Sequence, residues 1–264
     1  MTQTTIEFDD ARAYEHFMGR WSRALGRTFL EWLAPPQGAC WLDIGCGTGA
    51  FTQMLLDSCA PAAVAAVDSA ASQIDYARQQ LPAGSVDFRV ADAQAIPFPD
   101  NSFDIVVSAL ALNFVSDRAR ALSEMRRVCR PGGTVAGYVW DFAGERSSAW
   151  PLRLGLRQVE VPVPTIPGTE HTSTEALHAL FTNAGLEAIA EQAIEVALTF
   201  ASFEDYWRSQ TPAFAPQGKI VASLPDDDRL RLKKIVQETL PTTSGGGITY
   251  VAGANAVKAR CPPA

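Results

Sequence analysis

The stretch CWLDIGCGTGAF, residues 40–51, decides how the chain is read. A short apolar run carrying Asp43 ends abruptly in three glycines at alternate positions, Gly45, Gly47 and Gly49. A continuous apolar run of this length, closed by glycine, predicts a strand buried on both faces. From Thr48 onward the apolar residues recur at helical spacing, so the glycines join a strand to a helix. A turn needs one or two glycines; a third implies that something lies against the backbone. Gly45 and Gly47 permit a tight turn and the approach of a ligand, and Gly49 permits the next helix to pack closely.

Working outward, the same alternation repeats. AAVAAVD (62–68) predicts a second buried strand, and SAASQIDYARQQL (69–81) a helix ended by Pro82. VDFRVAD (86–92) and FDIVVSAL (103–110) predict two further strands around the loop AQAIPFPDNS. Ser116 is the expected N-cap of the helix DRARALSEMRRVC, which RPGG stops before the strand TVAGYVW. Strands alternating with helices predict right-handed βαβ units and an α/β fold on a parallel sheet. Further on, STEALHALFTNAG predicts a helix capped by Ser173 or Thr174 with Gly185 after its end. LEAIAEQAIEVALTF predicts a strand, and PDDDRLRLKKIVQETL a helix whose first turn places three aspartates at the positive end of the dipole. GGGITYVAGANAVKAR predicts a glycine turn and a closing strand. Two stretches, about 142–172 and 200–222, are rich in Pro, Trp, Phe and Tyr. They are expected to be irregular and too aromatic for disordered linkers.

The gross numbers bound the partners. The 264 residues are 47% hydrophobic and 19% charged, with a formal charge of −7, which suits one large α/β domain. The densest cationic stretches, EMRRVCR and RLRLKK, read as ordinary helix faces, so nucleic acid is not an expected partner. Five scattered cysteines form no metal-ligand spacing and suit a reducing, cytoplasmic compartment. No apolar stretch reaches the roughly 18 residues of a membrane span.

In an open parallel sheet, ligands bind beyond the carboxyl ends of the strands. Asp43, Asp68 and Asp92 belong to three consecutive strands, the last two at their ends, so these acids surround one rim. Asp68 suits the two hydroxyls of an adenosine ribose, and Asp92 the adenine edge. Helix N-capping is the alternative for each acid separately. Gly45-x-Gly47-x-x-Ala50 also satisfies the dinucleotide fingerprint, which leaves an NAD-dependent oxidoreductase open as a reading. Asp43 argues against it, because a carboxylate there would repel a pyrophosphate. It would instead welcome the ammonium and sulfonium of S-adenosylmethionine.

WLDIGCGTGAF, VAAVDSAASQIDYAR, VDFRVADAQAIPFPDNSFDIVVSALALNFV and EMRRVCRPGGTVAGYVW resemble, in order, the motifs of class I S-adenosylmethionine-dependent methyltransferases. The similarity is greatest to the small-molecule subgroup that includes enzymes of ubiquinone and menaquinone biosynthesis. The resemblance implies a Rossmann-like, seven-stranded, mostly parallel sheet with a reversed last strand. Within a single domain over 1–264, it divides the chain into a helical lid (1–36), a cofactor-binding core (37–141), substrate-cap insertions (142–172 and 200–240) and a closing strand (241–264). By position, Asp43 and the loop Gly45, Cys46, Gly47 and Gly49 hold the methionine end of the cofactor. Asp68 holds the ribose, Ser69 and Gln73 also contact the cofactor, Asp92, Ala93 and Gln94 line the adenine, and Ala109 and Leu110 approach the sulfonium. Tyr14, Arg20 and Trp21 belong to the lid, where Arg20 is a candidate for the cofactor carboxylate.

Methyl transfer requires positioning in a dry pocket, with a base where the nucleophile carries a proton. Candidates for that base are His16 in the lid, His171 near the substrate mouth and Asp141 after the fifth core strand. His178 reads as a surface or packing residue, and Tyr206 with Trp207 as an aromatic wall or core. No metal is expected. The expected partner is a small-molecule acceptor, flat or apolar, with the chain a monomer or homodimer. A non-catalytic protein that binds S-adenosylmethionine and regulates a partner is the reading from another class.

Overall fold

The computed structural model describes residues 11–213, 215–242 and 246–263. In chain order the elements are α1 (Ala11–Leu33), β1 (Cys40–Ile44), α2 (Ala50–Ser58), β2 (Ala63–Asp68), α3 (Ala71–Gln80), β3 (Asp87–Val90), β4 (Phe103–Ala109), α4 (Arg118–Val128) and β5 (Cys129–Trp140). They continue as α5 (Trp150–Gln158), α6 (Thr174–Asn183), β6 (Glu187–Phe200), α7 (Phe203–Gln210), α8 (Pro216–Ser223), α9 (Asp226–Thr239) and β7 (Ile248–Arg260). The strands form one sheet in the order β3-β2-β1-β4-β5-β7-β6. β1 to β5 are parallel, and β7 runs antiparallel to both β5 and β6. This is the expected sheet with its reversed last strand. The order turns back between β1 and β4, which opens a crevice beyond their carboxyl ends.

Alternation along each strand divides the core. Trp41, Ile105, Val107, Ala136 and Tyr138 face the side covered by α1, α2, α5, α7 and α9. Leu42, Ile44, Val106, Val135 and Val139 face α4 and α6. Asp43 shares the face of Trp41, because side chains two apart on a strand point the same way.

Several sequence expectations are revised. The N-cap of α4 is Asp117, whose carboxylate accepts from the Arg120 N–H at 2.9 Å, and Ser116 lies outside the helix. α4 ends at Val128, and the RPGG segment already belongs to β5. The stretches expected to be irregular contain α5, α7 and α8, whose short amphipathic faces carry Leu152, Leu156, Tyr206 and Val221 into the core. Ser173 caps α6, as one of the two expected choices. Within α1, Leu25 and Phe29 are fully buried, and the Phe29 ring lies 4.7 Å from that of Tyr138. Among the described residues no helix is long and apolar enough to cross a membrane.

β7 and β6 run on together past the rim. β5 stops pairing at Trp140↔Ala254, whereas β6 and β7 stay paired from Gly253 to Ile248. Those six residues amount to about 20 Å of ribbon at 3.3 Å per residue, standing above the crevice. Trp21, Trp140, Phe200 and Tyr250 pack there with ring separations of 6.0–6.3 Å, and Tyr206 stands edge-on to Phe200 at 5.2 Å.

Phe29 joins α1 to the sheet through Tyr138 and Phe51, so Phe29→Ala leaves a cavity that neither ring can fill. The expected loss is about 3–5 kcal/mol in urea unfolding, and a loss under about 1 kcal/mol would contradict this packing.

Candidate active site

The glycine loop between β1 and α2 does three different jobs. All three glycines have left-handed backbones, with φ of 71°, 53° and 82°. A Cβ on Gly45 would lie 2.4 Å from the Ala111 Cβ, so Gly45 is where this loop touches the segment after β4. A Cβ on Gly49 would meet Leu81 at 3.0 Å and Ala77 at 3.1 Å, so it admits α3, a neighbour distinct from the sheet contact expected. Gly47 differs: its Cβ would meet only the Gln73 Oε1, at 4.0 Å. Packing explains two glycines, and open space surrounds the third.

Asp68, at the end of β2, ties the loop down. One carboxylate oxygen accepts from the Gly47 N–H and the other from the Ala70 N–H, both at 2.9 Å. Two single bonds leave lone pairs on both oxygens for further donors. Ser69 beside it is exposed, and Gln73 on α3 is buried beneath the loop. A carboxylate therefore already sits on the loop N–H that a pyrophosphate would use, which disfavours a dinucleotide.

Asp43 lies deeper than the sequence implies. It is fully buried, with one oxygen accepting from the Thr52 hydroxyl at 2.7 Å and the other without any partner among the described residues. Burial, opposed by the Thr52 bond and reinforced by nearby Asp68, pushes its carboxyl up to about 7. Asp43 acts on the loop from below and does not line the open surface. The Cys46 thiol is pushed up by burial and then by the Asp43 charge, so it is a buried, unreactive thiol.

The loop after β3 is held by a clamp from α4. Arg127 donates to the carbonyls of Ile96 and Phe98, each at 2.9 Å, and pairs with Glu124 and Asp100, each at 2.7 Å. The Glu124 carboxylate accepts from the Ile96 N–H at 2.9 Å, and Arg120 donates to the Gln94 carbonyl at 2.8 Å. Asp92 is exposed at the rim, accepting from the backbone and side chain of Gln94, with Ala93 half-buried between them. Sequence reading took this part of α4 for an ordinary solvated face; only the Glu124-to-Arg127 spacing hinted at a pair. Beyond β4, Ala109 and Leu110 are half-buried, and Leu110 takes a left-handed φ of 58° while donating to the Tyr138 carbonyl at 2.8 Å. A non-glycine residue in that region is strained, and strain collects at functional rims.

The other described candidates have partners of their own. Arg20 donates to the Thr199 carbonyl at 2.7 Å and lies 4.8 Å over the Phe200 ring, so it braces β6. Trp21 is buried in the aromatic cluster under the ribbon. Asp141 accepts from the Gly144 N–H at 2.7 Å and serves as the cap of a turn. His171 is partly exposed, 3.3 Å from Glu170, and His178 pairs with Glu191 on the outside of α6. The side chains of Tyr14 and His16 lie outside the described residues. Among the described residues no cluster of three or more His, Cys, Asp or Glu could hold a metal.

Because the folded carboxyl of Asp43 binds a proton more tightly than the unfolded one, its contribution to stability falls as pH rises from about 4 to about 7. Asp43→Asn is expected to flatten that slope in denaturant titrations at pH 5 and 7.5. An identical slope in both proteins would remove Asp43 from this role.

Comparison with known proteins follows this geometry. Residues 42–137 match the family described as "Methyltransferase domain". The chain is 49% identical over 127 residues to a malonyl-[acyl-carrier protein] O-methyltransferase of Yersinia pestis, covering 47% of this chain and 45% of that one. It is 44% identical over 103 residues to a ubiquinone/menaquinone biosynthesis C-methyltransferase of Hahella chejuensis, covering 37% of this chain and 41% of that one. The matches span under half the length of these relatives. In fold it is similar to an S-adenosylmethionine-dependent methyltransferase from Aquifex aeolicus, with a TM-score of 0.57, 17% identity and coverage of 97% and 100%. It is similar also to phosphoethanolamine N-methyltransferase 2 of Haemonchus contortus, solved with S-adenosylmethionine, with a TM-score of 0.60, 17% identity and coverage of 98% and 58%. Residues 42–137 are thus similar to a methyltransferase domain, and the chain has the fold of solved S-adenosylmethionine-dependent methyltransferases.

Proposed function

We propose that the protein transfers a methyl group from S-adenosylmethionine to an oxygen, nitrogen or carbon nucleophile of a small, aromatic or apolar acceptor. The observation that carries this reading is Gly47: left-handed, bonded to Asp68 and open on the side where its neighbours are packed. The unpartnered buried oxygen of Asp43 beneath it suits a cation above, as the fit to the cofactor requires. When bound, S-adenosylmethionine supplies a methyl carbon activated by positive sulfur for in-line displacement.

The chain's own residues have mostly positional work. Asp68 accepts the ribose hydroxyls with its remaining lone pairs, and the α4 clamp holds Asp92, Ala93 and Gln94 at the adenine. Asp43 favours the ammonium end through its charge, because a negative group in a dry site acts strongly at short range. Leu110 sets the edge of the methyl position. The aromatic cluster around Trp140 and Tyr250 excludes water and offers flat apolar surface to the acceptor. Asp141 is committed to its turn, which weighs against it as the base and leaves His171 and His16 as the protein candidates. Where the nucleophile arrives ionised, positioning alone suffices.

Titration calorimetry with S-adenosylhomocysteine is expected to give a micromolar Kd, about −8 kcal/mol, with no heat from NAD. Asp68→Ala is expected to weaken that binding by about 1.5–3 kcal/mol through lost charge-assisted bonds, and unchanged affinity would sink the ribose assignment. Since the cationic ligand favours ionised Asp43, binding between pH 6 and 7 should release protons. Heats that do not vary with the ionisation enthalpy of the buffer would argue against that coupling.

A further inference from the structure

Arg153 lies on α5, in the segment that follows β5. It is only 9% exposed, an unusual state for a guanidinium. Buried arginines ordinarily pair with a carboxylate, because an uncompensated buried charge is costly. Among the described residues Arg153 has one hydrogen-bond partner, the Pro164 carbonyl at 3.0 Å, and no carboxylate within ion-pair distance. Burial, and then the charge of Arg157, favours its neutral form, opposed by Glu145. Glu145 is itself bonded to Arg157 at 2.9 Å, and Arg157 stacks 4.9 Å from the Trp150 ring. The neighbouring charges thus satisfy each other and leave one cation over. The other two Arg153 nitrogens make no hydrogen bond among the described residues and are not sealed from solvent.

Its position ties it to the acceptor side of the site. The segment that receives its bond, 164–168, is docked on the residues after β4. Asn113 donates to the Pro167 carbonyl at 3.1 Å, and a Cβ on Gly168 would lie 2.3 Å from the Asn113 carbonyl. Asn113 follows Leu110 by three residues, at the edge of the methyl position. At the other end, α5 follows Ser147, whose carbonyl accepts from Tyr250 in the aromatic cluster at 3.1 Å. Arg153 is thus bracketed between the post-β4 loop and the apolar wall of the ribbon.

The structure assigns Arg153 as the residue that recognises a carboxylate on the methyl acceptor, which is then an apolar or aromatic acid. The assignment rests on the methyltransferase reading and narrows its substrate class. A planar guanidinium with free N–H groups matches a carboxylate in bidentate fashion. A single uncompensated positive charge matches a monoanion better than a phosphate dianion.

The full chain, saturated with S-adenosylhomocysteine, is titrated calorimetrically with benzoate and octanoate, with their amides, and with phenyl phosphate. At least one acid is expected to bind about tenfold or more tightly than its amide, and benzoate more tightly than phenyl phosphate. Arg153→Gln should erase that preference while S-adenosylhomocysteine affinity stays within about twofold. The assignment is overturned if neither acid is preferred by the wild type, if phenyl phosphate binds best, if the variant keeps the preference, or if a folded variant loses the cofactor product. Should the glutamine variant not fold, Arg153→Lys is read in its place, and an undiminished preference there overturns the assignment equally. A wild type that ignores S-adenosylhomocysteine defeats the methyltransferase reading and this one together; one that binds it without preferring acids defeats only this one.

Discussion

The carboxylate of Asp68 is the point on which the crevice depends. It bonds one N–H of the first loop and one of the second, so the ends of β1 and β2 are fastened across the rim. Backbone donors at the start of such loops would otherwise need water or an anion. The chain meets that need with a resident negative charge of its own. The same bond keeps Gly47 in its left-handed conformation with its open face toward the crevice.

Beneath the loop the core gives up some stability to the site. Asp43 sits in a strand whose Trp41, Leu42 and Ile44 are all buried, and one of its oxygens has no partner among the described residues. Burying such a group without a full set of hydrogen bonds is unfavourable, and the raised pKa expresses that cost. Ser108 of β4 and Asn255 of β7 are likewise buried polar strand residues, but Asp43 is the one among the three that can carry a charge. A neighbouring strain, the left-handed Leu110, lies on the facing edge of the same crevice.

Around this rigid floor the walls are built from later parts of the chain. The β6–β7 ribbon rises past β5, and α1 and α7 close on it through the aromatic packing of Trp21 and Tyr206. Floor and walls are thereby supplied by different segments, and Asn113 after β4 meets the 164–168 loop. Such a division lets the walls vary without disturbing the sheet.

Much of this was legible in residue order. Apolar runs of strand length, each ended by glycine or aspartate, determine the parallel sheet and its functional rim. Local periodicity and buried-strand composition report on neighbours close in sequence. The helices at 150–158, 203–210 and 216–223 escaped notice because their proline- and aromatic-rich segments are short, and tertiary packing stabilises them more than propensity does. Arg20 and Trp21 have partners, Thr199 and Trp140, in contacts that spacing alone does not encode, whereas Asp141 bonds Gly144 only three residues on. The sequence by itself determined where the glycine loop and the strand-end aspartates lie, because backbone conformation and strand ends are local properties. Only the tertiary structure decided that Asp43 lies below that loop, that α4 clamps the loop after β3 and that Arg153 has no carboxylate partner among the described residues. Burial and pairing depend on residues brought together from far along the chain.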